Sequence, residues 1–155
     1  TESLAPWHPY KNDISVRVSV VPAFLHEMQS LLSAEYPHFD VVWFGHIGDG
    51  NLHINVLKPT DMGDAEFIVQ CERVTKLLAE SLQRHGGSIS AEHGIGLVKK
   101  PYLASTRSAV EIALMRSLRN AFDPQGLMNP GKLFDTAPAG VGALIPDAAL
   151  DVGSS

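Results

Sequence analysis

One cysteine, Cys71, is all the thiol this 155-residue chain carries, so no internal disulfide framework can hold it and a reducing compartment fits. Dense runs of Lys or Arg are missing too: 12 basic residues stand against 17 acidic ones, a formal net charge of -5. Neutralising phosphates needs a basic patch, so no nucleic-acid partner is expected. No apolar stretch approaches the roughly 20 residues that span a bilayer, and no signal peptide opens the sequence. No Gly-x-Gly-x-x-Gly follows a strand pattern to cradle a dinucleotide. The run Glu92-His93-Gly94-Ile95-Gly96 suggests one but lacks that context. What remains is globular: 45% hydrophobic and 19% charged residues, enough for one compact domain or a piece of a larger protein. The first residue is Thr1 rather than Met, which raises the expectation of a partner domain.

Residues 1–12, with Pro6 and Pro9, read as a lead-in segment. Ile14, Val16, Val18 and Val20 then alternate with polar residues, the period of a half-buried strand. Pro22 suits a first helical turn, and Val21, Phe24, Leu25, Met28, Leu31 and Leu32 follow at helical spacing until Pro37. Val41–Phe44 and Leu52–Leu57 are short β-rich runs. Asp64–Arg84 is a longer helix whose face carries Ile68, Cys71, Thr75, Leu78 and Leu82, ended by Gly86-Gly87. That pattern makes Cys71 a core residue rather than a nucleophile. Ser88–Glu92 is a strand candidate. Ser108 and Glu111 form a capping-box pattern before a helix striped with Val110, Leu114, Leu118 and Ala121. The order is β-α-β-β-α-β plus a C-terminal helix: an α+β, ferredoxin-like antiparallel sheet with helices on one face, over residues 13–135. Residues 136–155, rich in Ala, Gly and Pro, read as a poorly ordered tail.

The most informative stretch is Gly45-His46-Ile47-Gly48-Asp49-Gly50-Asn51-Leu52-His53. Asp49-Gly50 signals a two-residue type I′ hairpin turn. Counting outward from it sets His46 opposite His53, close enough for two imidazoles to share one ion. Asn55 would share their face, while Leu52, Ile54 and Val56 point into an apolar layer. A hydrogen-bonded structural pair of histidines is an equally open reading of these two residues alone. A second cluster, Ser90-Ala91-Glu92-His93-Gly94, puts a carboxylate beside an imidazole before a Gly-rich bend. His, His and Glu make the three-ligand set of an open metal site, and Zn²⁺ suits it best, with Mn²⁺, Co²⁺ or Fe²⁺ compatible. His8, His26, His38 and His85 read as surface residues, and Trp7 and Trp43 as packing residues.

Three separated motifs, GHIGDGNLHINV (45–56), SAEHGIG (90–96) and FDPQGLMNPGKLF (122–134), with the leading YKNDISV (10–16), resemble one family. It is the C-terminal domain of FAD-linked oxidases, the group containing D-lactate dehydrogenase, the glycolate oxidase D subunit and D-2-hydroxyglutarate dehydrogenase. The resemblance implies that His46, His53 and Glu92 hold a divalent metal and that His93 is the catalytic base. It implies that Lys11 and Asn55 meet a small 2-hydroxy-acid substrate, and that Asn129 belongs to a segment returning toward the flavin. It implies FAD bound mainly by a separate N-terminal domain, so this chain alone is expected to be inactive. One departure is visible: Arg17 stands where relatives usually have proline, and Val20 where a basic residue is common. A cytoplasmic protein is expected, with any membrane association made through an electron acceptor that the sequence does not identify; a homodimer is compatible with it. Two other readings stay open: a metal-dependent hydrolase, since the same donors can activate water, and a non-catalytic ferredoxin-like binding module.

Overall fold

The computed structural model describes residues 9–135, so the tail reading of 136–155 and residues 1–8 of the lead-in lie outside it. The fold is α+β. Strand β1 (Tyr10–Ser15) is followed by a 3-10 turn at Val18–Val20 and helix α1 (Val21–Glu35). Strands β2 (Val41–His46) and β3 (Asn51–Val56) form a hairpin, and helix α2 (Asp64–His85) comes next. A second 3-10 turn (Lys100–Tyr102), the short α3 (Leu103–Thr106) and α4 (Ala109–Phe122) complete it.

The first strand differs from the pattern expected of it. It starts at Tyr10 and stops at Ser15, rather than running from Ile14 to Val20. Val16 donates its N–H to Gly50 O (3.1 Å), and Val20 N–H closes on Arg17 O (2.9 Å), turning the chain into α1. The apolar alternation past Val16 is therefore not a strand, and Val18 is 48% exposed.

Among the described residues, three antiparallel strands are ordered β1-β3-β2, with the central β3 pairing on both sides. The expected fourth strand at Ser88–Glu92 is, among the described residues, a single bridge, Ser15 to Ser88, beside β1. Beyond that bridge the segment's N–H groups turn to a side chain instead of a ladder, so the full ferredoxin-like order is not completed.

Period-2 alternation splits the sheet into two faces. Ile14, Leu52, Ile54 and Val56 point into the core, against Val21, Phe24, Met28 and Leu32 of α1 and Phe67, Cys71, Val74, Leu78 and Leu82 of α2. The α2 stripe is one position round from the expected one. Phe67 and Val74 are buried, whereas Ile68 is half exposed and Thr75 bonds back to Cys71 O (2.9 Å). Gly86 ends α2 in the left-handed region (φ 63°), as a glycine C-cap should. Glu27 of α1 clamps the two helices together, accepting from Ser81 Oγ (2.8 Å), His85 Nε2 (2.8 Å) and Arg84. His85 is thus an interhelical partner, not a plain surface residue. Trp43 packs against the core and Cys71 is fully buried, both as expected.

Helix α4 opens with the expected capping box: Ser108 Oγ accepts from Glu111 N–H (3.2 Å), and the Glu111 carboxylate accepts from Ser108 N–H (2.7 Å). Its apolar stripe does not join the core. Val110, Leu114 and Leu118 are all more than half exposed.

Candidate functional site

The second face of the sheet is polar and carries the candidate residues. Its rows run straight across the three strands: Lys11–Asn55–Val42, Asp13–His53–Phe44 and Ser15–Asn51–His46. His53 therefore sits at the centre, with Asp13 on one side and Phe44 on the other.

This register corrects the hairpin count. His53 pairs with Phe44, and His46 pairs with Asn51, so the two histidines are not directly opposed. The connection is the four-residue loop Ile47–Gly50 rather than a two-residue turn. A type I′ turn needs positive φ at both central residues. Gly50 supplies it (φ 72°), but Asp49 is not among the residues with positive φ. Asp49 instead closes a tight turn on His46 O (3.3 Å) and caps Asn51 N–H through its own Oδ1 (3.0 Å). The slip is two residues, and a shift of two preserves the face. His46 and His53 still point the same way, diagonal neighbours with ring centroids 6.2 Å apart.

Glu92 and His93 reach this face from the bend after Ser88. His53 Nε2 lies 3.6 Å from Glu92 Oε1, and His93 Nε2 lies 3.6 Å from the same oxygen. The rings of His53 and His93 are 5.8 Å apart. His53 is largely enclosed, while His93 is 59% exposed and Glu92 49% exposed. Four candidate side chains, His46, His53, Glu92 and His93, are brought together. Lys11 and Asn55 occupy neighbouring positions one row away. Asn129 is elsewhere, in the turn after α4. There it has φ 47°, its carbonyl accepts from Arg119 (3.1 Å), and its side chain accepts from Lys132 (3.3 Å). That turn is tied to the bend after Glu92 where Leu133 N–H bonds Gly96 O (2.9 Å).

The residue that sequence reasoning missed is Asp13. It is 2% exposed, and its Oδ2 accepts three successive backbone N–H groups, from Ala91 (3.1 Å), Glu92 (3.1 Å) and His93 (3.0 Å). Lys99 Nζ stands 3.5 Å from Oδ2 and donates to Asp13 O (2.8 Å). Burial alone would raise the Asp13 carboxyl, but the N–H groups of His93 and Glu92 and the Lys99 charge outweigh it and hold it below its ordinary value. Starting β1 at Tyr10 would have exposed the signal, since Asp13 then shares the parity of Lys11 and opposes Ile14.

Three buried polar side-chain atoms lack a hydrogen-bond partner among the described residues: Asp13 Oδ1, Asn51 Oδ1 and Asn55 Nδ2. All three belong to the His53 face. Buried polar atoms are normally paired, so this clustering marks a face arranged for something other than packing. The donors also suit a cation. Two ligands held about 2.1 Å from one tetrahedral ion lie about 3.4 Å apart, near the 3.6 Å between His53 Nε2 and Glu92 Oε1. A tighter group, Asp13, Glu92 and His93, has one donor atom each within 4.8 Å of the others. A cleft of about 330 Å³ lies away from this face, between the end of α2 and residues 104–108, and none of these histidines lines it.

With this geometry in view, the relatives are informative. Residues 4–133 match the family of FAD linked oxidases, C-terminal domain, and the chain belongs to that family. It is 68% identical over 139 residues to a D-2-hydroxyglutarate dehydrogenase of Xanthomonas citri pv. viticola, covering 90% of this chain and 29% of that protein. It is 53% identical over 134 residues to the D-2-hydroxyglutarate dehydrogenase of Stutzerimonas stutzeri, covering 86% and 29%. The glycolate oxidase subunit GlcD of Bacillus subtilis is 40% identical over 106 residues, covering 66% and 21%. The chain thus spans less than a third of the length of these relatives. No helix among the described residues is long and apolar enough to cross a membrane.

Proposed function

We propose that this domain is the substrate- and metal-binding part of an FAD-dependent D-2-hydroxy-acid dehydrogenase, with D-2-hydroxyglutarate the first substrate to test. The observation that carries the reading is the convergence of His46, His53, Glu92 and His93 on the face that also holds Lys11 and Asn55. The likeness to two D-2-hydroxyglutarate dehydrogenases supports the substrate class. Family membership weighs against the hydrolase and the passive binding module.

His46, His53 and Glu92 would hold a divalent ion, Zn²⁺ by donor type. Such an ion would supply Lewis acidity toward the substrate hydroxyl, and FAD, held mainly outside these residues, would supply the hydride acceptor. His93 takes the hydroxyl proton, a task suited to an imidazole that reaches solvent. Lys11 pairs with the substrate carboxylate. Asn55 presents a buried Nδ2–H that has no partner among the described residues and can donate to a substrate oxygen.

The full-length protein is the material for the test, offered D-2-hydroxyglutarate, D-lactate and glycolate with an artificial electron acceptor. Flavin reduction by D-2-hydroxyglutarate is expected; failure of every 2-hydroxy acid would return the binding-module reading. His93→Ala should lower kcat sharply while metal content stays near stoichiometric. Loss of metal in that variant would make His93 a ligand instead of the base.

A further inference from the structure

We propose that Asp13 is the positioning residue of this site. Its Oδ2 anchors the Glu92–His93 segment to the sheet, and its Oδ1 holds His53 with the proton on Nδ1, leaving the Nε2 lone pair toward Glu92. The second half rests on the reading of His53 as a metal ligand; the first half stands without it.

The anchoring follows from the contacts. After the Ser15–Ser88 bridge the chain leaves the sheet, and its next backbone donors need partners. Three of them, on Ala91, Glu92 and His93, converge on one carboxylate oxygen, a charge-assisted arrangement that fixes the segment's path. Ser90 Oγ lies 3.4 Å from the same oxygen. Glu92 and His93 therefore reach His53 because their backbone is tied to the strand beside His53.

The orientation follows from the other oxygen. Asp13 and His53 are direct cross-strand partners. Asp13 Oδ1 is buried without a hydrogen-bond partner among the described residues, and His53 Nδ1 lies 3.8 Å from it. A shift of under about 1 Å makes that a hydrogen bond. Metal-binding imidazoles generally donate their other N–H to a carboxylate or carbonyl, which sets the tautomer and the ring's aim. Asp13, Glu92 and His93 also form a compact donor group, which would make Asp13 a ligand. The contacts favour the anchor, because Oδ2 already accepts three N–H groups and Oδ1 is buried with His53 Nδ1 3.8 Å from it.

The full-length protein tests both halves. Asp13→Asn keeps an oxygen for the backbone donors, but its amide N–H₂ would face His53 Nδ1 and force the ring's proton onto Nε2. Zn²⁺ affinity, measured against a competing chelator, should fall about 10- to 100-fold, while hydrogen exchange at 91–93 stays near wild type. Asp13→Ala should lose both affinity and protection. A merely structural role predicts that the two readouts fall together in both variants, and would overturn the orienting half. Unchanged exchange in Asp13→Ala would overturn the anchor. Zn²⁺ retained in Asp13→Asn with one protein ligand fewer by X-ray absorption would make Asp13 a ligand, against the proposal. If the variants do not fold, ¹⁵N-histidine NMR of the wild-type protein decides: His53 should carry its proton on Nδ1, and the opposite tautomer overturns the orienting half. A wild-type protein that binds no Zn²⁺ removes the metal reading and the orienting half with it, and the exchange result still decides the anchor.

Discussion

Phe44 and His53 face each other across β2 and β3, with ring centroids 5.0 Å apart and planes 28° from parallel. Phe44 thus takes the place opposite His53 that turn counting gave to His46. Its ring forms one wall of the imidazole's slot, with Asp13 as the other.

Removing that wall should loosen His53 without unfolding the sheet, because Phe44 is itself 40% exposed. A stacked aromatic pair contributes about 0.5–1.5 kcal/mol beyond area burial. Phe44→Ala in the full-length protein should weaken Zn²⁺ binding about 2- to 10-fold, read by chelator competition, with thermal stability little changed. Unaltered affinity would show that the ring does not orient His53.

Gly50 is where the hairpin and β1 lock together. Its φ of 72° disfavours any side chain, and a Cβ there would stand 1.8 Å from Val16 O. Gly50→Ala should therefore cost about 2 kcal/mol or more, combining left-handed strain with displacement of the Val16–Gly50 hydrogen bond. Urea unfolding of the chain measures it. A midpoint equal to wild type would mean that the loop re-forms around the methyl group.

Much of this was legible in the sequence, and the failures share a cause. Helix α2, the hairpin's existence, the Ser108–Glu111 cap and the face shared by His46, His53 and Asn55 all follow from local chemistry: period, cap residues and turn residues. The register did not, because Asp49-Gly50 fits both a two-residue turn and a longer loop, and contact with Val16 selects the second. The fourth strand did not, because Ser88–Glu92 has strand-like spacing but after the Ser88 bridge the N–H groups of Ala91, Glu92 and the following His93 go to Asp13. Asp13 was hidden by the late start given to the first strand, since only a strand from Tyr10 sets it on the Lys11 face. Parity could mark that face but not its partners, whose N–H groups lie 78 to 80 positions away.

Cys71 offers a sharp check on the core. The side chain is fully buried on α2, and burial pushes its thiol up to about 12. Thiolate is the reactive form, so a disulfide reagent at mildly alkaline pH should leave the native chain unlabelled for far longer than a small-molecule thiol. Denaturant should release one full equivalent. Prompt labelling of the folded chain would mean that α2 opens easily from the sheet.

Glu27 is one of the carboxylates that tie the chain's stability to acid pH. Burial by itself would raise its carboxyl, but hydrogen bonds from Arg84, His85 and Ser81, with the Arg84 charge, hold it down to about 2 against an ordinary 4.5. In the unfolded chain the group protonates near 4.5, so below that pH the unfolded state binds the extra proton. The stabilisation from this depressed group is therefore complete above about 4.5 and drains away as pH falls toward about 2. Glu27→Gln preserves the size and an acceptor oxygen but removes the charge. The stability gap between wild type and this variant should be widest above 4.5, narrow steadily across the acid window, and be smallest near 2. Urea midpoints of both chains at a series of pH values measure it. A gap that stays constant through that window would mean that the clamp between α1 and α2 works by shape and neutral hydrogen bonds, with the Glu27 charge contributing nothing.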